Sequence, residues 1–317
     1  MSGIPTLPTS IAFALGMAAS ASAATTSLSA VPEIFAPGVI SGPAKEDSAV
    51  FTPDGNTVFF DRAQWPNAFI LVSQRTHGTW SAPRIAPFSG RWLDHDPAMA
   101  PDGSFIVYAS SRPATAGAAP VKEGGNLWRV ERRRNGWSAP VRLPVTINSS
   151  AKTYAPSIAG DGSVYFQQPD AQTGEFHILR SQYRDGAYLQ SVRVDLGDSV
   201  HQLDPAIAPD ESFIVFNAPD AAKPDQDRLF IAFREGDRWS SPVDLGDSVN
   251  ARNSPWGAHL GADHRTLYFS SARTLPIAFP RSPAQAGKDL ARMQAWDNGN
   301  ENIWSVSLAP WLDAHRG

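Results

Sequence analysis

Cysteine is absent from this chain of 317 residues. Disulfides, thiolate metal sites, a cysteine nucleophile and a lipid-anchored cysteine are therefore excluded, and stability must come from packing. An excess of basic charge is also lacking, because 27 Lys and Arg residues stand against 31 Asp and Glu residues. The net charge of -4 argues against a basic nucleic-acid-binding face, so we expect no nucleic-acid partner.

Long apolar segments are scarce as well. No segment has the roughly 20 apolar residues that a transmembrane helix needs. A shorter apolar run, Ile11–Ala19, precedes a small-residue cleavage sequence at Ala21–Ala23, although the first ten residues contain no Lys or Arg. This order is typical of a secretory signal peptide. We predict a signal peptide over residues 1–23, a linker over residues 24–30, and a periplasmic or secreted mature protein with no membrane span.

A repeated motif dominates the rest of the chain. A short strand, a tight turn that reads P-D-G in its fullest form, and an apolar second strand recur five times. The turn aspartates are Asp54, Asp102, Asp161, Asp210 and Asp263. Their spacings of 48, 59, 49 and 53 residues are near the roughly 40 to 50 residues of one propeller blade.

Each repeat continues with a third predicted strand, and each of the first four with a fourth; these strands are rich in Val, Ile, Phe, Tyr and Trp. The fifth repeat lacks a fourth strand, whereas residues 32–40, before the first repeat, match the fourth-strand pattern. We therefore predict an all-β fold, a five-bladed β-propeller of four-stranded antiparallel blades, whose ring is closed by an N-terminal strand. The propeller is expected to span residues 31–308, followed by a C-terminal tail over residues 309–317.

These repeats resemble those of TolB and its relatives. The resemblance lies in the P-D-G turn, in S-x-R after the second strand (residues 110–112 and 271–273), and in N-L-W or N-I-W in the third strand. It covers about residues 31–308 and implies a propeller. The extra N-terminal domain of TolB has no counterpart here, so the resemblance does not imply a colicin or outer-membrane role.

Functional side chains are expected at one mouth of the channel, where the loops before the first strands and after the second strands open together. Residues that break the repeat there are the candidates. The acid–base candidates are Glu46, Asp47, Asp94 and His95. The ligand-binding candidates are Arg62, His95, Arg112, Tyr154, His201, Trp256 and Arg273. Arginine pairs with carboxylates, and Tyr and Trp rings stack on sugars.

Repetition separates structural from functional candidates. Asp96 and Asp204 occupy the same repeat position, each before a proline, which favours a structural role. His95 is not repeated and is the better functional candidate. A divalent ion held by His95, Asp96, His201 and Asp204 is an alternative, but no ligand spacing of a known type supports it. We predict neither a cofactor nor a metal site.

Two functions stay open. The first is an exported, non-catalytic binding module whose rim takes a polar small molecule, a glycan or a periplasmic protein. The second is a glycan-active hydrolase or lyase that uses rim carboxylates with arginine and aromatic subsites. Residues 274–301 form a long insertion in the fifth blade, with a predicted helix at Asp289–Trp296. It has three interpretations: a lid over the channel mouth, a disordered insert, or a partner-docking segment.

Overall fold

Each repeat folds into one blade, and the predicted five-bladed β-propeller is confirmed. The computed structural model describes residues 1, 30–115, 117–121, 125–197, 201–250, 255–272 and 277–316. The predicted signal peptide, apart from Met1, and most of the predicted linker lie outside the described residues. No helix within the described ranges combines the length and apolar character required to cross a membrane.

The three inner strands of each blade pair antiparallel, in order from the channel outward. The first strands are Lys45–Phe51, Asp94–Met99, Tyr154–Ile158, Leu203–Ile207 and Trp256–Leu260. The second strands are Thr57–Gln64, Phe105–Ser110, Val164–Pro169, Phe213–Asp220 and Thr266–Ser271. The third strands are Asn67–Thr76, Asn126–Arg133, Phe176–Ser181, Lys223–Glu235 and Asn302–Ser307.

The outer strand of blades one to four is broken into two short segments, unlike the continuous strand that the sequence predicts. The segments are Thr79–Trp80 and Arg84–Ile85, Gly136–Trp137 and Val141–Arg142, Ala187–Tyr188 and Val192–Arg193, and Arg238–Trp239 and Val243–Asp244. In blade three, Tyr183–Arg184 pairs with the first of these segments. Pro83, Pro140 and Pro242 lie between the segments of blades one, two and four. Because proline has no N–H to donate, each of these three outer strands is interrupted where a backbone hydrogen bond to the third strand cannot form.

The N-terminal strand closes the ring, as predicted. Glu33–Ile34 pairs antiparallel with Asn302–Ser307 and so covers the outer edge of blade five. Phe35 then packs its ring 5.6 Å from Phe51 of blade one and 5.1 Å from Tyr268 of blade five. The closing segment therefore protects a sheet edge and also joins the first and last blades.

The hydrophobic core lies in five clusters, each containing residues of two neighbouring blades. A short helix, α1 (Gly246–Val249), adds Val249 to the cluster between blades four and five. The segment after Leu308, for which the sequence predicts only a tail, forms helix α3 (Ala309–Arg316). Its Trp311 is 1% exposed in the same cluster, and burial of that large side chain fixes the helix.

The insertion in blade five contains helix α2 (Pro283–Arg292), so the predicted bounds Asp289–Trp296 were wrong. Its N-terminus is a capping box, in which the Ser282 hydroxyl accepts the N–H of Gln285 and the Gln285 side chain accepts the N–H of Ser282. Proline in the first turn also fits a helix start. None of the α2 residues is buried.

Candidate functional site

Every first strand carries a β-bulge at the same place, where its register with the second strand shifts. The bulge residue has a left-handed backbone in each blade: Ser48 (φ 53), Asp96 (φ 49), Ala155 (φ 45), Asp204 (φ 49) and Gly257 (φ 62). Bulges of this kind re-aim the side chains around them and are common beside functional sites. Here they turn polar side chains into the channel mouth.

Side chains near the bulges join neighbouring blades. The Asp96 N–H donates to Oδ2 of Asp61 in blade one at 2.9 Å, and Asp96 Oδ2 in turn accepts the N–H of Ala155 in blade three at 3.0 Å. Asp204 Oδ2 likewise accepts the N–H of Gly257 in blade five at 2.9 Å. Asp96 and Asp204 therefore hold adjacent blades together, which is the structural role that their repetition indicates.

A small cavity of about 70 Å³ opens between blades one, two and five. Its lining combines carboxylates, an imidazole, an ammonium group and two indoles: Lys45, Asp47, Asp61, Ala63, Trp65, His95, Asp96 and Trp256. The structure thus brings together Asp47, His95 and Trp256 from the candidates that the sequence predicts. The volume has room for a few water-sized groups and not for a whole sugar ring.

Burial controls the ionisation of the cavity carboxylates. Burial, followed by the charges of Asp61, Asp96 and Asp204, raises the pKa of Asp47 well above its usual value. Burial and the charge of Asp96 raise the pKa of Asp61 to about 7. Nδ1 of His95 lies 3.1 Å from Oδ1 of Asp96. Although burial alone disfavours the imidazolium, this pairing raises the pKa of His95 to about 9 and lowers that of Asp96.

Four aromatic rings follow one another along the mouth. Trp65 contacts His95 edge-on at 6.1 Å, His95 lies 5.9 Å from Tyr154, and Tyr154 stacks on Phe176 at 6.1 Å between ring centroids. Trp65 is 58% exposed, which leaves much of its indole open to solvent. We call this row, Trp65–His95–Tyr154–Phe176, the aromatic arc; it spans blades one to three, and its Trp65 and His95 also line the cavity.

Glu46 and Arg62 face away from the cavity and hold the N-terminal segment instead. The Glu46 side chain is fully buried, where it accepts the Gly42 N–H at 2.8 Å and pairs with Arg62 at 2.7 Å. Burial raises the pKa of Glu46 to about 7 despite the Arg62 charge. Arg62 also donates to the Ile40 carbonyl at 3.1 Å. Neither side chain lines the cavity.

Other predicted residues are also engaged elsewhere. The fully buried Asp94 accepts hydrogen bonds from the hydroxyls of Ser89 and Ser110, which secures the loop before blade two. Arg112 donates to the Tyr108 hydroxyl at 2.8 Å and lies over the Trp128 ring. His201 pairs with Asp227 at 2.9 Å within blade four. Arg273 lies outside the described residues.

Trp65 and His259 are among the residues at the site that are not sequence candidates. Trp65 lies on the hairpin after the second strand of blade one, where the insertion of an exposed Trp-Pro sequence is the only signal. His259 is 6% exposed and lines the channel below the cavity. Its position in the other blades is occupied by Val50, Ala98, Ser157 and Ala206. The sequence signal is therefore a single imidazole at a position where the other blades have small residues.

The comparisons with known proteins agree on the fold. No protein-family model and no curated protein matches the chain. The catalytic domain of a GH62 α-L-arabinofuranosidase from Coprinopsis cinerea is similar, with 14% identity over 88% of this chain and 97% of that chain, and a TM-score of 0.53. The α-L-arabinofuranosidase PaAbf62A from Podospora anserina has 13% identity over 88% and 97%, with a TM-score of 0.51.

A TolB structure from Acinetobacter baumannii is also similar, with 16% identity over 63% of this chain and 46% of that chain, and a TM-score of 0.41. This chain therefore spans less than half the length of that TolB. At such low identities the likeness to the two arabinofuranosidases concerns the fold alone and not the activity.

Proposed function

We propose that this protein is an exported binding module whose channel mouth takes a glycan or a similar polar ring ligand. The aromatic arc beside a carboxylate-lined cavity is the observation that carries this proposal. The apolar face of a sugar ring packs on aromatic side chains, while its hydroxyls donate to carboxylates. Because the cavity is only about 70 Å³, the ring lies across the arc and at most one of its substituents enters the cavity.

The contacts of the carboxylates are more consistent with ligand binding than with catalysis. Glu46 and Asp94 are fully buried and hold loops, so neither reaches a ligand at the mouth. Asp61 and Asp96 accept backbone N–H groups of neighbouring blades and have only their remaining lone pairs for a ligand. A glycosidase instead needs two acids that flank the scissile bond at a set separation, with one of them free to transfer a proton.

A glycan-active hydrolase is the second candidate. The raised pKa values of Asp47 and Asp61 favour it, since a carboxyl group that stays protonated near neutral pH can act as a general acid. Export to the periplasm or beyond remains a prediction from residues 1–23, and a periplasmic protein is the alternative partner.

A thermal-shift screen tests the proposal. The chain is heated with neutral oligosaccharides, uronic acids and sialic acids, and the best ligand is titrated by calorimetry. We expect a sugar to bind, and Trp65→Ala to weaken it by about 10-fold, since aromatic packing contributes on the order of 1 kcal/mol or more. Phe279→Ala is the matched control, because Phe279 is 75% exposed on the insertion and is not a cavity-lining residue.

Three outcomes distinguish the functions. Binding without release of new reducing ends supports the binding module. Release of reducing ends that Asp61→Asn abolishes supports the hydrolase. Absence of any stabilising sugar, or equal loss of affinity in Trp65→Ala and Phe279→Ala, contradicts a ligand site on the aromatic arc.

A further inference from the structure

Two carboxylates and one imidazole converge in the cavity from neighbouring blades. Asp61 lies in the second strand of blade one, and His95 and Asp96 lie in the first strand of blade two. One potential ligand atom from each residue lies within 4.8 Å of the others. A cation about 2.1 Å from each donor needs donors no more than about 4.2 Å apart, so small side-chain rotations complete such a site.

In the described part of the chain, the carboxylates of this cavity outnumber the basic side chains that pair with them. Asp47, Asp61 and Asp96 line the cavity, and among the described residues His95 is the only basic group that forms an ion pair with any of them. The ammonium of Lys45 is paired with Glu301 at 2.8 Å. Buried carboxylates without counter-charge are costly, and a bound cation removes that cost.

An unpartnered imidazole provides independent evidence. Nε2 of His95 is buried and has no hydrogen-bond partner among the described residues. Buried polar groups almost always have a partner, so a polar group or an ion is expected beside it. A second imidazole, His259 of blade five, is 6% exposed and lies within electrostatic range of Asp96.

We propose that Asp61, His95 and Asp96 bind one first-row divalent cation, Mn²⁺ or Zn²⁺, with Asp47 and water as further ligands. The mixed donor set decides the class of ion. Imidazole with carboxylates suits Mn²⁺ and Zn²⁺, whereas Ca²⁺ and Mg²⁺ are held mainly by oxygen. His259 then accepts a hydrogen bond from a water of the ion. This inference does not depend on the proposed glycan ligand.

Metal titration of the full chain tests it. The protein is stripped with EDTA, dialysed, and titrated with MnCl₂ or ZnCl₂ by calorimetry, with bound Mn²⁺ also counted by electron paramagnetic resonance. We expect one ion per chain, bound more tightly than Ca²⁺ or Mg²⁺. Asp61→Asn and His95→Gln are expected to weaken binding by about 10-fold or more, the loss seen even for residues that only support a metal ligand.

Asp204→Asn is the matched control. Asp204 is also a buried channel aspartate that accepts a backbone N–H across a blade interface, yet it does not belong to the three-residue group. Its substitution removes the same charge and is expected to change Mn²⁺ affinity less than threefold. Asn at position 61 can still accept the Asp96 N–H, and circular dichroism checks each fold.

The proposal is overturned if the stripped wild-type chain binds neither ion, if Ca²⁺ binds more tightly than both, or if all three variants lose affinity equally. Sugar binding that persists in EDTA leaves the proposed function standing in each case, so failure of the metal site and failure of the glycan site are distinguishable.

Discussion

The carboxylate of Asp47 in blade one occupies the space beside the backbone of Gly257 in blade five. A Cβ on Gly257 would lie 1.8 Å from Oδ1 of Asp47, much closer than any real contact. The same Oδ1 accepts the Ser270 hydroxyl of blade five at 2.8 Å. The seam where the ring closes therefore requires glycine at this bulge, because a Cβ has no space there.

Gly257→Ala is expected to destabilise the protein by about 2 to 3 kcal/mol, because the new methyl group displaces a buried carboxylate. Ala155 has the equivalent bulge conformation (φ 45), which shows that alanine tolerates the backbone angle itself. Guanidinium unfolding measures the change. Ala155→Gly is the control and is expected to change the free energy of unfolding by less than about 1 kcal/mol.

A double variant separates the two causes. If the clash dominates, Asp47→Ala with Gly257→Ala is as stable as Asp47→Ala alone. A full additional loss in the double variant would show that backbone strain, and not Asp47, excludes alanine.

Phe35→Ala tests ring closure. Phe35 packs against Phe51, Trp80 and Tyr268, and it is the aromatic anchor of the closing segment. Since it is only partly buried, we expect a loss of about 2 kcal/mol, below the range for a fully buried phenylalanine. Val39→Ala, at a 37% exposed position of the same segment, is expected to change little. Equal stability of the two variants would contradict a closing role for Phe35.

The periodic turn motif made the architecture predictable. Five Asp turns with similar spacing set the number of blades, and the unmatched fourth strand located the closure at residues 32–40. The broken outer strands were not predicted, since Pro83 or Pro140 is as compatible with an edge strand as with a break. The predicted helix bounds in the insertion were wrong because the helix begins at the capping box of Ser282 and Gln285, ahead of the predicted start at Asp289.

Side-chain alternation explains which rim candidates reach the cavity. Consecutive strand residues point to opposite faces, so Asp47 and His95 line the cavity while Glu46 and Asp94 point away from it. This alternation is readable from the sequence once the strands are placed. The bulge that follows is not, because Ser, Asp, Ala and Gly occupy it without a shared side chain.

Asp204 gives the protein a pH-dependent stability. Burial, together with the charges of Asp96 and Asp227, raises its pKa from 3.8 to about 7, although the Gly257 N–H opposes the shift. The folded state therefore holds this proton more tightly than the unfolded state does. The bound proton stabilises the folded state fully below pH 3.8. As the pH rises from 3.8 towards 7 this stabilisation is lost, and the free energy of unfolding falls by up to about 1.4 kcal/mol per pH unit.

Asp204→Asn is expected to reduce this loss. Asparagine does not titrate and can still accept the Gly257 N–H. Urea unfolding in EDTA at pH 5 and pH 8 compares the two proteins, and we expect the drop in unfolding free energy to be about 1 to 2 kcal/mol smaller in the variant. Identical drops would mean that Asp204 ionises as an ordinary surface carboxyl group.

Replacement of residues 281–294 by a Gly-Ser linker tests the three interpretations of the insertion. Helix α2 buries none of its side chains, and Leu290 and Met293 are 67% and 62% exposed. Among the described residues, the end of the insertion contacts the chain near the cavity, where Asn298 donates to the Pro43 carbonyl and Glu301 pairs with Lys45. We therefore expect the free energy of unfolding to change by less than about 0.5 kcal/mol.

The same deletion is expected to leave ligand affinity unchanged, because none of the cavity-lining residues belongs to α2. Calorimetry with the best ligand of the screen measures this, and Lys45→Met is the comparison variant that alters the cavity wall itself. Weaker binding or faster ligand release after deletion of α2 would identify the insertion as a lid. Unchanged binding would instead favour a partner-docking segment, for which the exposed Leu290 and Met293 offer apolar surface.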